Sequence, residues 1–241
     1  MNKIEKLCEI AKKYEIHSLS ITDKNNLFGS LEFSIATKTH KITPIIGALI
    51  PIDKQETEIL VLVKNSNGYQ NLIKLISYYY QQKKYISIEI LSKYNQDLIV
   101  LSGYTQGPIG YYLLQNQIKK AEYYSEQLQK IFEDRFYYEI MRHDLDQELF
   151  IEEKYIEMSQ KYKIPLVATN NNLFSFLTEE EKEKTFQAHD TLLCIANNNK
   201  KEERDRIKSC QEYYFKSPEE MIELFSDIPN AIKNTIEIAK R

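Results

Sequence analysis

Ser20-Ile21-Thr22-Asp23-Lys24-Asn25-Asn26-Leu27-Phe28-Gly29 sets a short β-branched run against a polar turn, and Val167-Ala168-Thr169-Asn170-Asn171-Asn172-Leu173-Phe174 repeats the arrangement. Each reads as a buried strand that delivers a loop to one end of a sheet. In α/β barrels and doubly wound sheets, chemistry sits in the loops at the carboxyl ends of strands. A catalytic metal site there calls for Asp, Glu, His or Cys. These loops offer Lys24 and a run of asparagines instead. The frame of an active site is present and its chemistry is depleted.

Outward from these two stretches, strand and helix signals alternate. Ile4, Leu7, Cys8, Ala11 and Tyr14 fall at helical spacing, and His17 to Thr22 reads as a buried strand. Asn26 is placed to cap a helix through Lys38, with Leu27, Leu31, Ile35 and Phe28 turned inward. Strands are expected over Thr43 to Ile50, with Pro44 at its start, and over Glu58 to Val63, Asp97 to Ser102, Arg135 to Ile140 and Pro165 to Thr169. Helices are expected after Asn67-Gly68, from Ile109 to Phe132 with a break near Gln115 to Gln117, and from Gln147 to Tyr162. From Thr178 onward the pattern is all helical: Glu179 to Ala196, Pro218 to Leu224, and Pro229 to Lys240. Ser217-Pro218-Glu219-Glu220 is a strong helix start, with Pro at the first position and acids in the first turn. Repeated strand–helix units argue an α/β fold with a largely parallel sheet, most simply a barrel.

Composition narrows the classes. At 241 residues with 42% hydrophobic content, the chain can bury a good core. No apolar run approaches a membrane span, and the first residues lack the continuous apolar stretch of a signal peptide. Cys8, Cys194 and Cys210 are scattered without CxxC spacing, which fits reduced thiols in a cytoplasm rather than disulfides or structural zinc. A net charge of -3 argues against a domain that binds DNA unaided.

Of the four histidines, His17 and His40 lack a carboxylate or cysteine at ligand spacing, and His189 suits packing or capping on a helix. His143 is better placed, in Arg142-His143-Asp144 just after a strand. Asp23 also follows a strand and reads as a turn-former or a ligand. No nucleophile motif is present, and Gly103-Tyr104-Thr105-Gln106-Gly107 is too sparse for a phosphate loop.

Ile21 to Gly29, Pro44-Ile45-Ile46-Gly47 and Gly68-Tyr69-Gln70-Asn71-Leu72 together resemble the PHP domain of the alpha subunit of bacterial DNA polymerase III. The likeness continues through Leu98 to Gly103, Asp134 to Ile140, Val167 to Asn170, Ala188-His189-Asp190, Tyr214 to Met221 and Asn234 to Arg241. These stretches are collinear and span nearly the whole chain. The resemblance implies a PHP-type distorted β/α barrel lacking its first strand, with a helical C-terminal extension. Residues 1–241 then form one domain, the barrel over about 1–195 and the extension over about 196–241.

Family members begin with a strand bearing a His-x-His ligand pair, whereas this sequence opens on the helix that would follow. The strand His17 to Thr22 is therefore expected to carry an unpaired edge. The family also continues into palm, thumb and fingers beyond the point where this sequence stops. Metal-binding members hold a cluster of ions at the barrel mouth. Carried over position by position, the family ligands fall here on Lys24, Leu49, Glu58, Tyr104, Asn171 and Leu173, while Asp23 keeps its acid and His143 remains. The expectation is a vestigial site with no catalytic residues, no cofactor, and zinc or manganese only if that site still functions.

The implied role is a scaffold or subunit-docking part of a replicative polymerase, itself not catalytic although its parent is a DNA-directed DNA polymerase. Its partners would be the polymerase III core, meaning the polymerase domains and a proofreading subunit, with DNA met only indirectly and no membrane. Two alternatives stand beside it: an active metal-dependent PHP phosphoesterase or 3′–5′ exonuclease, and a free-standing module that docks on a separate polymerase chain.

Overall fold

The computed structural model describes residues 3–55, 57–82, 85–176 and 178–241. Six strands lie in chain order across one sheet that curls into a half-barrel. They are β1 (Ser18–Lys24), β2 (Thr43–Pro51), β3 (Glu58–Val63), β4 (Leu98–Leu101), β5 (Phe136–Ile140) and β6 (Leu166–Ala168). The pairs β1–β2, β4–β5 and β5–β6 are parallel. The strand β3 runs antiparallel to both neighbours, so the sheet is mixed where the alternating pattern alone argued a mostly parallel one. No helix among the described residues is long and apolar enough to cross a membrane.

Helices α1 (Ile4–Lys13), α2 (Ser30–Thr39), α3 (Ser66–Gln82), α4 (Ile88–Lys93), α5 (Pro108–Leu114), α6 (Ile118–Phe132), α7 (Asp146–Tyr162) and α8 (Glu179–Ala196) surround the sheet, followed by α9 (Pro218–Leu224) and α10 (Pro229–Lys240). Side-chain alternation along the strands builds two cores. Val61, Val100, Phe136, Tyr138, Ile140 and Ala168 face the helices α3 and α5–α7 in the main one. Leu62, Ile99, Leu101, Tyr137 and Val167 line the opposite face, where Ile238 of α10 packs on them. A smaller third core, around Cys8, Ala11, Leu19, Phe33, Ala36 and Ile42, fixes α1 and α2 to β1.

Two local expectations are corrected. The segment after residue 17 is not a buried strand. Only Leu19 of β1 is buried, because β1 is an edge with one neighbour. The carbonyl of His17 and the amide of Asn25 bond to β2, so the intervening peptides of Ser18, Ser20 and Thr22 point away from the sheet. No strand pairs with that edge among the described residues. Helix α2 also turns the other way round. It buries Ser30, Phe33, Ala36 and Thr37 and leaves Phe28, Leu31 and Ile35 exposed.

The physical reason is the small core, where Phe33 and Ala36 pack with Cys8, Ala11 and Leu19. A Cβ at Gly29 would sit 2.8 Å from the Ile21 terminal methyl, so glycine lets the helix start pack closely on β1 without displacing that side chain. Asn26 does not cap the helix. Its side chain bridges the Lys24 carbonyl and the Phe28 amide within the turn.

The β6 edge is managed differently. Its outward carbonyl at Leu166 accepts a 2.7 Å bond from Asn234 of α10. Between β6 and the α1–α2 core lies an irregular segment. Phe174 bridges Tyr214, and Phe215 packs against the α1–α2 core. Arg142 clamps the helical extension to the barrel. Its guanidinium bonds to Glu152 at 2.9 Å and Asp227 at 2.8 Å, and it stacks over Phe225 at 4.7 Å. Glu152 and Asp227 hold that guanidinium firmly protonated.

Candidate functional site

The carboxyl ends of the parallel strands gather most of the residues singled out from sequence. Lys24 ends β1 and stands opposite Leu49 in the register, while Glu58 opens the antiparallel β3 opposite Pro51. Lys24 Nζ lies 2.7 Å from Glu58 Oε1, with the lysine 67% and the glutamate 14% exposed. The β4 end must squeeze past this strand. Gly103 has φ of +78°, and a Cβ on it would meet the Glu58 carbonyl at 1.8 Å. Asp23 lies within β1, exposed and paired in register with Ala48, so it is part of the strand rather than a turn.

Tyr104 starts near the same place and leaves it. The 3-10 turn Tyr104–Gln106 sends its ring into the helical core, where the hydroxyl donates to the Glu148 carbonyl at 3.0 Å and the ring meets Tyr155 edge-on. Burial pushes the Tyr104 phenol far above its ordinary range, so it stays a neutral donor.

His143 is present at this end but enclosed. Nδ1 lies 2.6 Å from Glu148 Oε1, and Nε2 lies 2.9 Å from Asn170 Oδ1. The amide of His143 donates to the other Glu148 oxygen, and Tyr213 covers the ring edge-on at 4.7 Å. Asn170 is held in turn by the Tyr214 carbonyl and Asn172 Oδ1, both 2.7 Å from its amide nitrogen. This assembly ties the β5 and β6 loops to the segment carrying Tyr213. Asn171 is exposed beside it. Leu173 donates its amide to the Tyr213 carbonyl at 2.9 Å.

The structure therefore joins Lys24 to Glu58 and His143 to Asn170, and keeps Tyr104 apart. Elsewhere, His40 pairs with Glu5 at 2.7 Å, and His189 contacts Ser209 at 2.7 Å, where burial lowers its basicity. Beside it, Asp190 is clamped by Arg206 through two 2.7 Å bonds that hold its carboxyl below the usual range.

Sequence reasoning missed Glu139. It lies fully enclosed on β5, accepting from Thr169 Oγ1 at 2.8 Å while its own amide donates to Ser102 Oγ. Burial raises its carboxyl to about 7, against opposing bonds from Thr169 and the Gly103 amide. The signal was a single acid inside the apolar run Phe136-Tyr137-Tyr138-Glu139-Ile140. Among the described residues, no three His, Cys, Asp or Glu side chains are grouped to hold a metal ion.

Comparison with known proteins places this arrangement. The PHP domain family matches residues 1–143. The chain is similar to the DNA polymerase III alpha subunit of Rickettsia bellii, at 44% identity over 98% of this chain and 20% of that protein. It is similar to the alpha subunit of Helicobacter pylori at 35% identity, over 100% of this chain and 21% of that protein. With the Caulobacter vibrioides alpha subunit the identity is 32%, over 99% of this chain and 22% of that protein. A solved structure from Bifidobacterium adolescentis, a candidate metal-dependent phosphoesterase, superposes with a TM-score of 0.47 at 11% identity, over 70% of this chain and 82% of that one. The chain spans about a fifth of the length of the curated relatives it matches. With the family match covering more than half the sequence, the chain belongs to the PHP domain family.

Proposed function

We propose that this domain is a metal-free scaffold belonging to a replicative DNA polymerase III alpha subunit, without hydrolytic activity of its own. One observation carries the reading: the Lys24–Glu58 ion pair at the barrel mouth. A multinuclear metal site needs several anionic or imidazole ligands to offset ionic charge and desolvation. Here an ammonium group occupies that region, repels cations, and engages the carboxylate that could have served them. His143 points both ring nitrogens at protein partners, leaving no lone pair directed into the mouth. Leu49 and Leu173 contribute none. The residues present do not fit a metal cluster.

In this reading the inherited chemistry of the parent, DNA-directed DNA synthesis, lies in polymerase domains, and this domain supports them or a proofreading subunit. DNA is met through those partners. Elemental analysis of purified protein is expected to find no stoichiometric zinc, manganese or iron, and nuclease assays with added manganese should match buffer. Two or more tightly held metals per chain would overturn the proposal.

A further inference from the structure

The outer edge of β1 carries backbone groups that the fold has not used. Alternate residues from His17 to Asn25 turn their peptides to β2. Those of Ser18, Ser20 and Thr22 point outward, with no pairing strand among the described residues. The free stretch is bounded at both ends. The His17 carbonyl bonds to the Thr43 amide, while the Lys24 carbonyl accepts from Asn26 and its ammonium pairs with Glu58. Sheet edges are ordinarily blunted by a lysine, a proline or a bulge. Ser18 to Thr22 has none of these.

The chemistry of this edge reads alike in both directions. About Ser20, Leu19 mirrors Ile21, Ser18 mirrors Thr22, and His17 mirrors Asp23. His17, Ser20 and Asp23 are exposed, and neither His17 nor Asp23 has an ion-pair partner among the described residues.

We propose that β1 pairs with the β1 edge of a second copy of this chain, antiparallel about a twofold axis at Ser20. A twofold contact sets one patch against itself, so it needs a self-complementary edge. In this register Ser20 faces Ser20 and Ser18 faces Thr22, each pair exchanging two backbone bonds, so every free peptide of the edge is used. Leu19 stands opposite Ile21, beside the α1–α2 core that already holds both. At each end His17 stands opposite Asp23. Moving the axis to Ile21 would set Leu19 against Asp23 and Ser18 against Lys24, whose carbonyl is already taken. The mirror symmetry is what selects a second copy, since pairing with an unrelated strand would not call for it. The contact is small and falls below the roughly 1,200 Å² of stable interfaces, so the dimer is reversible, with a dissociation constant on the order of 10–100 μM. This inference does not depend on the scaffold role proposed above.

Sedimentation velocity on the 241-residue chain, at concentrations spanning that constant, should show a monomer–dimer equilibrium. Ser20→Pro removes the amide at the axis, at an edge position where no internal bond is lost, and should weaken the dimer roughly tenfold or more. His17→Asp sets like charges against each other at both ends and should weaken it roughly tenfold. H17D/D23H restores opposite partners and should recover the parent constant to within about threefold. Ser20→Cys should give a disulfide-linked dimer under mild oxidation, because the Cα atoms of such a pair lie about 5.5 Å apart, within disulfide reach. Ile35→Cys, on the exposed side of α2, should not. Should Ser20→Pro lower the melting curve, the crosslink and the charge exchange carry the test in an undisturbed fold. A chain that stays monomeric throughout, or a dimer indifferent to both Ser20→Pro and His17→Asp, would overturn the proposal. So would a dimer lost only in F28S/L31S/I35S, which would place the contact on α2.

Discussion

The β1–α2 flank and the β5–β6 flank use the same unit, a parallel strand beside a helix, and end in opposite states. Every residue of β5 is buried, whereas β1 buries Leu19 alone. The strand β5 has neighbours on both sides, helices on one face and the packing around Ile238 on the other. The strand β1 has one neighbour and a small core of its own. Even the free edges differ, because Asn234 satisfies the outward carbonyl of β6 while no strand among the described residues pairs with the outward peptides of β1. Stability should concentrate on the β5–β6 flank.

The sharpest way to break this contrast is truncation on each side. Phe136→Ala removes a fully buried ring from the main core and should cost about 3–5 kcal/mol in urea unfolding. Ile21→Ala, only half-buried in the smaller core, should cost about 1 kcal/mol. Equal losses would mean the two flanks are equally well packed.

The second prediction uses Glu139, whose carboxyl burial raises from the ordinary glutamate range to about 7. The folded state holds this proton more tightly than the unfolded chain, so stability should fall as pH rises from about 4.5 to 7. The order of the effect is about 3 kcal/mol for this group alone. Asp190 and Asp227 have the opposite sign, since their carboxyls are lowered, and their contribution fades only in more acidic solution. Glu139→Gln should flatten the slope between pH 5 and 8 in denaturant titrations. An unchanged slope would show that Glu139 is ionised at neutral pH in the fold.

A smaller effect is expected at the open edge. Supplying about twenty residues bearing the family's first strand should pair the outward peptides of β1, at about 1 kcal/mol per bond formed. For a domain of this size the melting midpoint should rise by several degrees. An unchanged midpoint with the added segment disordered would mean that the segment around Tyr214 already closes the seam.

Much of the fold was legible because periodicity and punctuation agreed. The bounds of β3, α8, α9 and α10 follow from their apolar patterns, and Pro218 and Pro229 mark two helix starts. Helix α2 was misread for a physical reason. Leu31–Ile35 and Phe33–Ala36 offer rival apolar stripes, and nothing local reports that the second packs with Cys8, Ala11 and Leu19 in the small core. At the site, positions were legible and partnerships were not. Lys24 and Glu58 are far apart in sequence and meet only through the registers of β1, β2 and β3. Glu148, which engages His143, lies five residues on, in helix α7, where nothing in the sequence marks it as the histidine's partner.

The smallest expected effect lies in that same ion pair, and its asymmetry makes it informative. Lys24 is mostly in solvent and Glu58 mostly is not, so each loses something different when the other is removed. An exposed pair contributes about 0.2–1 kcal/mol. Lys24→Gln leaves a largely desolvated carboxylate without its cation and should cost about 1 kcal/mol. Glu58→Gln leaves an ammonium free to hydrate and should cost close to nothing, as should the double variant, which buries no unpaired charge. A double-mutant cycle in low and high salt would measure this order. If Lys24→Gln instead proved neutral while Glu58→Gln destabilised, the glutamate would owe its place at the mouth to another partner, and the lysine would not be what neutralises it.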